Sequence, residues 1–327
     1  MPTSAPFHSS WLIRGTRRTR SSIAIASLVF SGISTGAAEP PSADLTIAHT
    51  LAPTLFDVGA KWIQIGGGFN GCEGAQWHGD TLHFAAHHDH LAFKWSEQTG
   101  LVVWRDDSPE ATSFRPDGNG GFYVVEQTTR QLTRWDNNGQ RTEVLADKFG
   151  GKRLNRPNDC VVHSDGSVWF TDPDWLFDER KHEVKELSEQ NLYRFDPPTR
   201  TLIAAARGFK KPNGLAFSPD EKFLYLTDSG GSDILRFTVS SQGNLGPREV
   251  FATLKTKGLD GLAFDPAGRL WCAARDGVHV FDVSSGVNLG LIQLPSKPTA
   301  VAFASNGSRM VAVTTRDAAF VTTLNLR

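Results

Sequence analysis

"DCVVHSDGSVWFTDP", residues 159–173, holds two short apolar runs on either side of a Ser-Asp-Gly turn. Asp-Gly between such runs is a hairpin signal, because these residues enter the positive backbone angles of a tight turn at little cost. The pattern recurs as "GLAFSPDEKFLYLTDSG" at 214–230 and "GLAFDPAGRLWCAARDG" at 261–277. Less regular copies are "EGAQWHGDTLHFAAH" at 73–87, "TSFRPDGNGGFYVVEQ" at 112–127 and "TAVAFASNGSRMVAVTT" at 299–315, which makes six.

Second hairpins lie between them: "FKWSEQTGLVVW" (93–104), "LTRWDNNGQRTEVL" (132–145), "LYRFDPPTRTLIAA" (192–205), "ILRFTVSSQGNLGPREVF" (234–251) and "VHVFDVSSGVNLGLIQL" (278–294). Each unit is therefore four strands, repeating every ~40–55 residues, which is the spacing of a β-propeller blade. No helical period of apolar residues is visible after residue 45. The chain reads as all-β, a six-bladed β-propeller over 54–327 with four-stranded antiparallel blades. The sixth unit ends one strand after its first hairpin, in "AAFVTTLNLR". "KWIQIGGGF" at 61–69 is expected to supply the missing strand and close the ring, removing open sheet edges.

Residues 1–38 differ from the rest: "RGTRRTRSS" precedes the apolar "IAIASLVFSGISTGAA". Basic, apolar and small-residue regions in that order predict a secretory signal cleaved after Ala38, followed by a linker over 39–53. The apolar run is shorter than the ~20 residues that span a bilayer. A periplasmic or secreted protein without a stable membrane anchor is expected, the Arg17-Arg18 pair leaving both Sec and twin-arginine export open. A formal charge of −1 on 327 residues, with both signs mixed, gives no reason to expect nucleic acid. The three cysteines, Cys72, Cys160 and Cys272, allow at most one disulfide, and their apolar or glycine-rich neighbours suit buried thiols.

In a propeller the first strand of each blade lines the central channel. Aligning the repeats on their turns puts Glu73, Thr112, Asn158, Asn213, Asp260 and Thr299 at one level, all with side-chain oxygens. Each alone also reads as a turn residue, since Asn-Gly and Asp-Gly are common turn dipeptides. Together, two carboxylates and two amides aimed at one point would repel and stay under-satisfied without a cation. Hard oxygen donors suit calcium first, then magnesium or manganese.

"GKRLNRPNDCVVHSDGSVWFTDP" (151–173), "KPNGLAFSPDEKFLYLTDSG" (211–230) and "LDGLAFDPAGRLWCAARDGVHVF" (259–281) resemble the gluconolactonase and senescence-marker/regucalcin family of propellers, the bacterial gluconolactonase branch above all. The resemblance implies a divalent metal, calcium foremost with magnesium, manganese or zinc as alternatives, held by Glu73, Asn213 and Asp260. Asn158 would be a fourth ligand or a contact to metal-bound substrate or water, Asp260 the general base, and Arg156 a substrate contact. Ala75 stands where the family usually has Pro, and "FAAHHDH" (84–90) replaces a family "FSD" and polar loop.

The expected chemistry is hydrolysis of a sugar lactone such as glucono-1,5-lactone, with no covalent intermediate, since no Gly-x-Ser-x-Gly elbow is present. An esterase or phosphotriesterase with the same cup, or a non-catalytic metal-stabilised binding propeller, are the rival readings. His87 follows Glu73 by 14 residues, the offset of Asp172 from Asn158, so the second strand returns "HHDH" to the same mouth. Neighbours on a strand face opposite sides, which makes a zinc site there poor. His87 and His88 are instead read as part of a solvated or hydrogen-bonded loop or as substrate-side residues. Glu126, Asp172 and Asp228, at the ends of second strands, would hold a second ion or cap turns.

Overall fold

All five residues of Val168–Asp172 are buried, because this strand is sandwiched within its own sheet and between neighbouring sheets. It pairs with Cys160–Val162 on one side and Asn191–Asp196 on the other, and Thr201–Ala206 lies outermost. This computed structural model describes residues 61–175, 184–305 and 307–324, with Leu55 and the backbone of 42–43 and 47–48.

Five further sheets repeat that order, each running antiparallel from the axis outward. Blade 1 runs from Cys72–His78 to Gly100–Arg105, and blade 2 from Ala111–Pro116 to Arg141–Ala146. Blade 3 is the sheet just described. Blade 4 runs from Pro212–Phe217 to Glu249–Thr253, and blade 5 from Leu262–Phe264 to Asn288–Ile292. Blade 6 comprises Pro298–Phe303, Met310–Thr315 and Ala318–Thr323, then Trp62–Gly67 paired antiparallel with the last of these. The ring is thus closed by the N-terminal strand expected from "KWIQIGGGF". Within 39–53, two-residue strands at Ser42–Ala43 and Ile47–Ala48 extend blades 6 and 5 outward. The segment 1–38, expected to be a secretory signal, lies outside the described residues. Among the described residues no helix is long and apolar enough to cross a membrane.

The recurrent aspartates build the hairpins. Asp265 Oδ1 accepts the backbone N–H groups of Ala267 and Arg269 at 3.0 and 2.9 Å, while Oδ2 accepts from the Trp271 indole at 3.0 Å. One buried carboxylate therefore shapes a turn and accepts from a buried indole. Trp135 and Trp169, also fully buried, donate to Glu126 Oε1 and Ser167 Oγ. Cys72, Cys160 and Cys272 are free thiols in these cores.

The three second-strand carboxylates are occupied internally. Asp228 accepts from the backbone of Lys210, Lys211 and Gly230, and Glu126 from Thr133, Trp135, Thr129 and Arg141. Asp172 Oδ2 accepts the Asn155 N–H at 2.8 Å, but its Oδ1, Asn155 Oδ1 and Asn191 Oδ1 are buried without a partner. Burial pushes the Asp172 carboxyl up to about 8. A carboxyl raised on folding is protonated in the native state while ionised in the unfolded chain. Its contribution is therefore present below the ordinary aspartate range near 4 and is lost as pH rises toward about 8. Denaturant titrations of Asp172→Asn between those limits should show a stability slope flatter than wild type by up to about 1.4 kcal/mol per pH unit. Equal slopes would show that Asp172 is ionised in the native protein.

Candidate active site

Four of the six first strands carry a local irregularity at the channel residue. Register shifts fall between Glu73 and Gln76, Ala111 and Ser113, Pro212 and Leu215, and Pro298 and Ala300. In blades 3 and 5 regular pairing starts only at Cys160 and Leu262, just after Asn158 and Asp260. Such bulges re-aim a side chain, and the four shifts fall at Glu73, Thr112, Asn213 and Thr299, while Asn158 and Asp260 lie just ahead of their paired strands.

The glycine after three of these residues is not a turn glycine. A Cβ on Gly214 would lie 2.3 Å from Asp260 O, one on Gly261 2.8 Å from Thr299 O, and one on Gly74 2.7 Å from Thr112 O. Asn213-Gly214 and Asp260-Gly261 therefore sit within or at the start of inner strands, where neighbouring blades approach too closely for a side chain. Hydroxyls tie adjacent blades at the same level. Thr112 donates to Asn158 O at 2.7 Å, Thr171 to Asn213 O at 2.8 Å, Thr227 to Asp260 O at 2.7 Å and Thr299 to Cys72 O at 2.6 Å.

A cavity of about 720 Å³ opens at this end of the channel, lined by Glu73, Asn158, Asn213, Asp260 and Thr299. These five also line a narrower space further along the axis, to which Thr112 contributes. Asp260 Oδ2 accepts from Lys297 Nζ at 2.6 Å. Asn213 Nδ2 donates to Ser229 Oγ at 3.0 Å, and Ser229 in turn donates to Leu259 O. Burial drives the Glu73 carboxyl well above the ordinary range, and the Asp260 carboxylate adds to that rise. Asp260 is itself raised by burial, with Lys297 and Asn213 pulling the other way. Both shifts say that negative charge here is under-compensated.

That shortfall tests the implied metal. The donor set is two carboxylates and two amides, all hard oxygen chemistry, and of the two carboxylates only Asp260 has a lysine or arginine within ion-pair distance, Lys297. The nearest cationic or ring nitrogen to Glu73 is His87 Nδ1 at 3.9 Å, itself buried without a hydrogen-bond partner. The residues fit a hard divalent cation. Among the described residues no group of three His, Cys, Asp or Glu side chains has metal-holding geometry.

The histidine stretch instead divides its labour. His87–Asp89 is a single 3-10 turn after the second strand of blade 1. Asp89 accepts from Asn70 N at 2.8 Å and His90, in the left-handed conformation, approaches Ser108 O at 3.2 Å, both holding the loop. His87 and His88 line the cavity, their Nε2 atoms 3.1 Å apart. Burial and His88 lower His87 to about 4, so its ring is neutral at pH 7. Gly71, at φ +71°, makes room for it: a Cβ there would lie 2.4 Å from His87 Cε1.

Arg156 is placed differently from the other residues singled out in the sequence. It does not line the cavity but is buried behind it, Nη1 3.5 Å from Glu110 Oε2, while Glu110 Oε1 lies 3.7 Å from His88 Nδ1. The His88 interaction holds the Glu110 carboxyl down to about 2. Arg156 thus reaches the cavity through Glu110 and His88. Lys297 and Ser229 were missed by the sequence reading. A signal for Lys297 was present: a cation-Pro pair precedes the channel residue in Arg156-Pro157-Asn158, Lys211-Pro212-Asn213 and Lys297-Pro298-Thr299.

The fold and its axial cavity define a class of protein, six-bladed β-propellers with carboxylates and amides gathered at one mouth. Within that class the chain belongs to the SMP-30/Gluconolactonase/LRE-like family, whose model matches residues 72–317. A gluconolactonase of Zymomonas mobilis is 29% identical over 264 residues, covering 73% of this chain and 74% of that one. A 6-deoxy-6-sulfogluconolactonase of Pseudomonas putida is 33% identical over 200 residues, covering 60% and 65%. The solved structure of a gluconolactonase from Xanthomonas campestris superposes with a TM-score of 0.79 at 29% identity, over 88% of this chain and 99% of that one.

Proposed function

We propose that the protein is a divalent-metal-dependent lactonase that opens a sugar lactone of the glucono-1,5-lactone type. The observation that carries this is the convergence of Glu73, Asn158, Asn213 and Asp260 on one cavity, in a chain related to gluconolactonases. These four residues would hold the cation, calcium being the best match to their oxygens. When bound, such an ion supplies Lewis-acid polarisation of a carbonyl and a lowered pKa for nearby water.

Asp260 receives the proton of the attacking water, and Lys297 Nζ, 2.6 Å away, fixes its carboxylate. Asn213 is oriented by Ser229 on one side and by the Thr171 hydroxyl on its carbonyl. The neutral His87 ring and the neighbouring His88 ring form the wall that a bound substrate would contact. Glu110 and Arg156 hold His88 from behind. The basic-apolar-small order of residues 14–38 supports export to the periplasm or beyond.

The test is a pH-indicator assay of calcium-supplied protein with glucono-1,5-lactone, beside phenyl acetate and a phosphotriester. Lactone opening well above the spontaneous rate, and above both other substrates, is expected. Preference for the ester or phosphotriester would shift the reading to the rival hydrolases, and turnover of none would leave a binding propeller.

A further inference from the structure

Four cationic side chains line the same cavity, and they come from two adjacent blades. Lys257 precedes the first strand of blade 5 and Arg275 sits in the turn after Leu270–Ala274. Lys297 precedes the first strand of blade 6 and Arg316 follows Met310–Thr315. One arc of the mouth is therefore basic, while the arcs from blades 3 and 4 contribute Asn158, Trp175, Asn213 and Ser229.

Only Lys297 is engaged by a carboxylate, that of Asp260. Lys257, Arg275 and Arg316 have no ion-pair partner among the described residues, and all three are exposed to the cavity mouth. Their acidic chain neighbours are engaged by other groups. Asp276 faces His279 at 3.0 Å, and Asp317 accepts from Ser296 and Thr315. The spacing is also kept open by sequence. Gly258 has φ +66°, and a Cβ there would lie 3.7 Å from Lys297 Cε and 3.8 Å from Arg275 Nε and Nη2. Two cations thus flank one bare point of backbone.

Charge counting gives the same direction. Beyond the Lys297–Asp260 pair and the axial Glu73, the mouth carries Lys257, Arg275 and Arg316 against Asp317 alone. Solvated lysines scattered on a surface need no ligand, but unpaired like charges gathered on one side of a concave site favour an anion there. Arg275 adds a planar donor fork suited to carboxylate, sulfonate or phosphate oxygens. We infer that the substrate is an anionic sugar lactone, one whose carbon chain carries a carboxylate, sulfonate or phosphate away from the ring carbonyl, seated against Lys257, Arg275 and Arg316. This rests on the lactonase reading and narrows its substrate class.

The test compares kcat/KM for glucono-1,5-lactone with that for 6-phosphoglucono-1,5-lactone, its 6-sulfonate counterpart and a glucaric acid lactone, which separates the three anionic groups. Charge-assisted hydrogen bonds of ordinary strength predict a preference of about tenfold or more for at least one anionic lactone. In the Arg275→Gln/Lys257→Gln double variant that ratio should fall toward one, and added salt should lower it in the wild type. A wild-type ratio of one, or a ratio unchanged in the variant, overturns the inference. If no lactone is opened at all, the lactonase reading fails separately, and calorimetry then decides the anion site. Tighter binding of 6-phosphogluconate than of gluconate, lost in the double variant, supports it, and equal binding overturns it.

Discussion

Asp260→Asn should lower kcat/KM for the lactone by about 10³-fold, within the range lost when a general base is removed. The change keeps the size and shape of the side chain and leaves the backbone bonds of Asp260 intact, its N–H donating to Ala273 O and its carbonyl accepting from Thr227. What it removes is the carboxylate that accepts from Lys297, and with it the only acidic oxygen besides those of Glu73 that this set of four offers. Since the variant relieves a buried, under-compensated negative charge, its melting temperature should equal or exceed that of the wild type. Loss of activity with retained stability is the diagnostic pair. Activity within a few fold of wild type would remove Asp260 as the base.

Glu73→Gln should weaken calcium binding by at least about tenfold, because affinity for this ion follows the number of charged ligands. Glu73 pays a cost in the metal-free protein, its carboxyl raised by burial and by Asp260, with no hydrogen bond from His87 at 3.9 Å. A cation offsets that cost, so affinity and hydrolysis should fall together and be partly restored at high calcium. His87 provides the contrast: it lines the cavity beside Glu73 as a neutral ring, so His87→Ala should impair turnover far more than metal affinity. Unchanged calcium affinity in Glu73→Gln would place the ion elsewhere.

Much of the architecture was legible because each blade repeats its own chemistry. The turn aspartates, the alternating apolar strands and the incomplete sixth unit together specified six sheets and a ring closed by Trp62–Gly67. The level of Glu73, Asn158, Asn213 and Asp260 followed from the same repeats, since equal offsets from equal turns become equal heights along the axis. The role of Gly214 and Gly261 was not legible. Asn-Gly and Asp-Gly look like turns in sequence, and only the approach of the neighbouring blade shows why a side chain is excluded. Contacts between elements distant in the chain were likewise hidden. Lys297 reaches Asp260 across 37 positions and Glu110 reaches Arg156 across 46, and neither pairing leaves a periodic trace. Arg156 illustrates the limit: its place next to a channel residue was visible, but not that Glu110 draws its guanidinium behind the wall.

The central claim is that one hard cation, held where the four channel residues meet, is required for lactone opening. Its most direct test is calcium titrated into chelator-treated wild type and Glu73→Gln while glucono-1,5-lactone hydrolysis is followed. The account predicts no enzymatic rate without metal, saturation at one calcium per wild-type chain, and a curve displaced to higher calcium in the variant. Full hydrolysis by the stripped wild type, or superimposable curves for the two proteins, would contradict it.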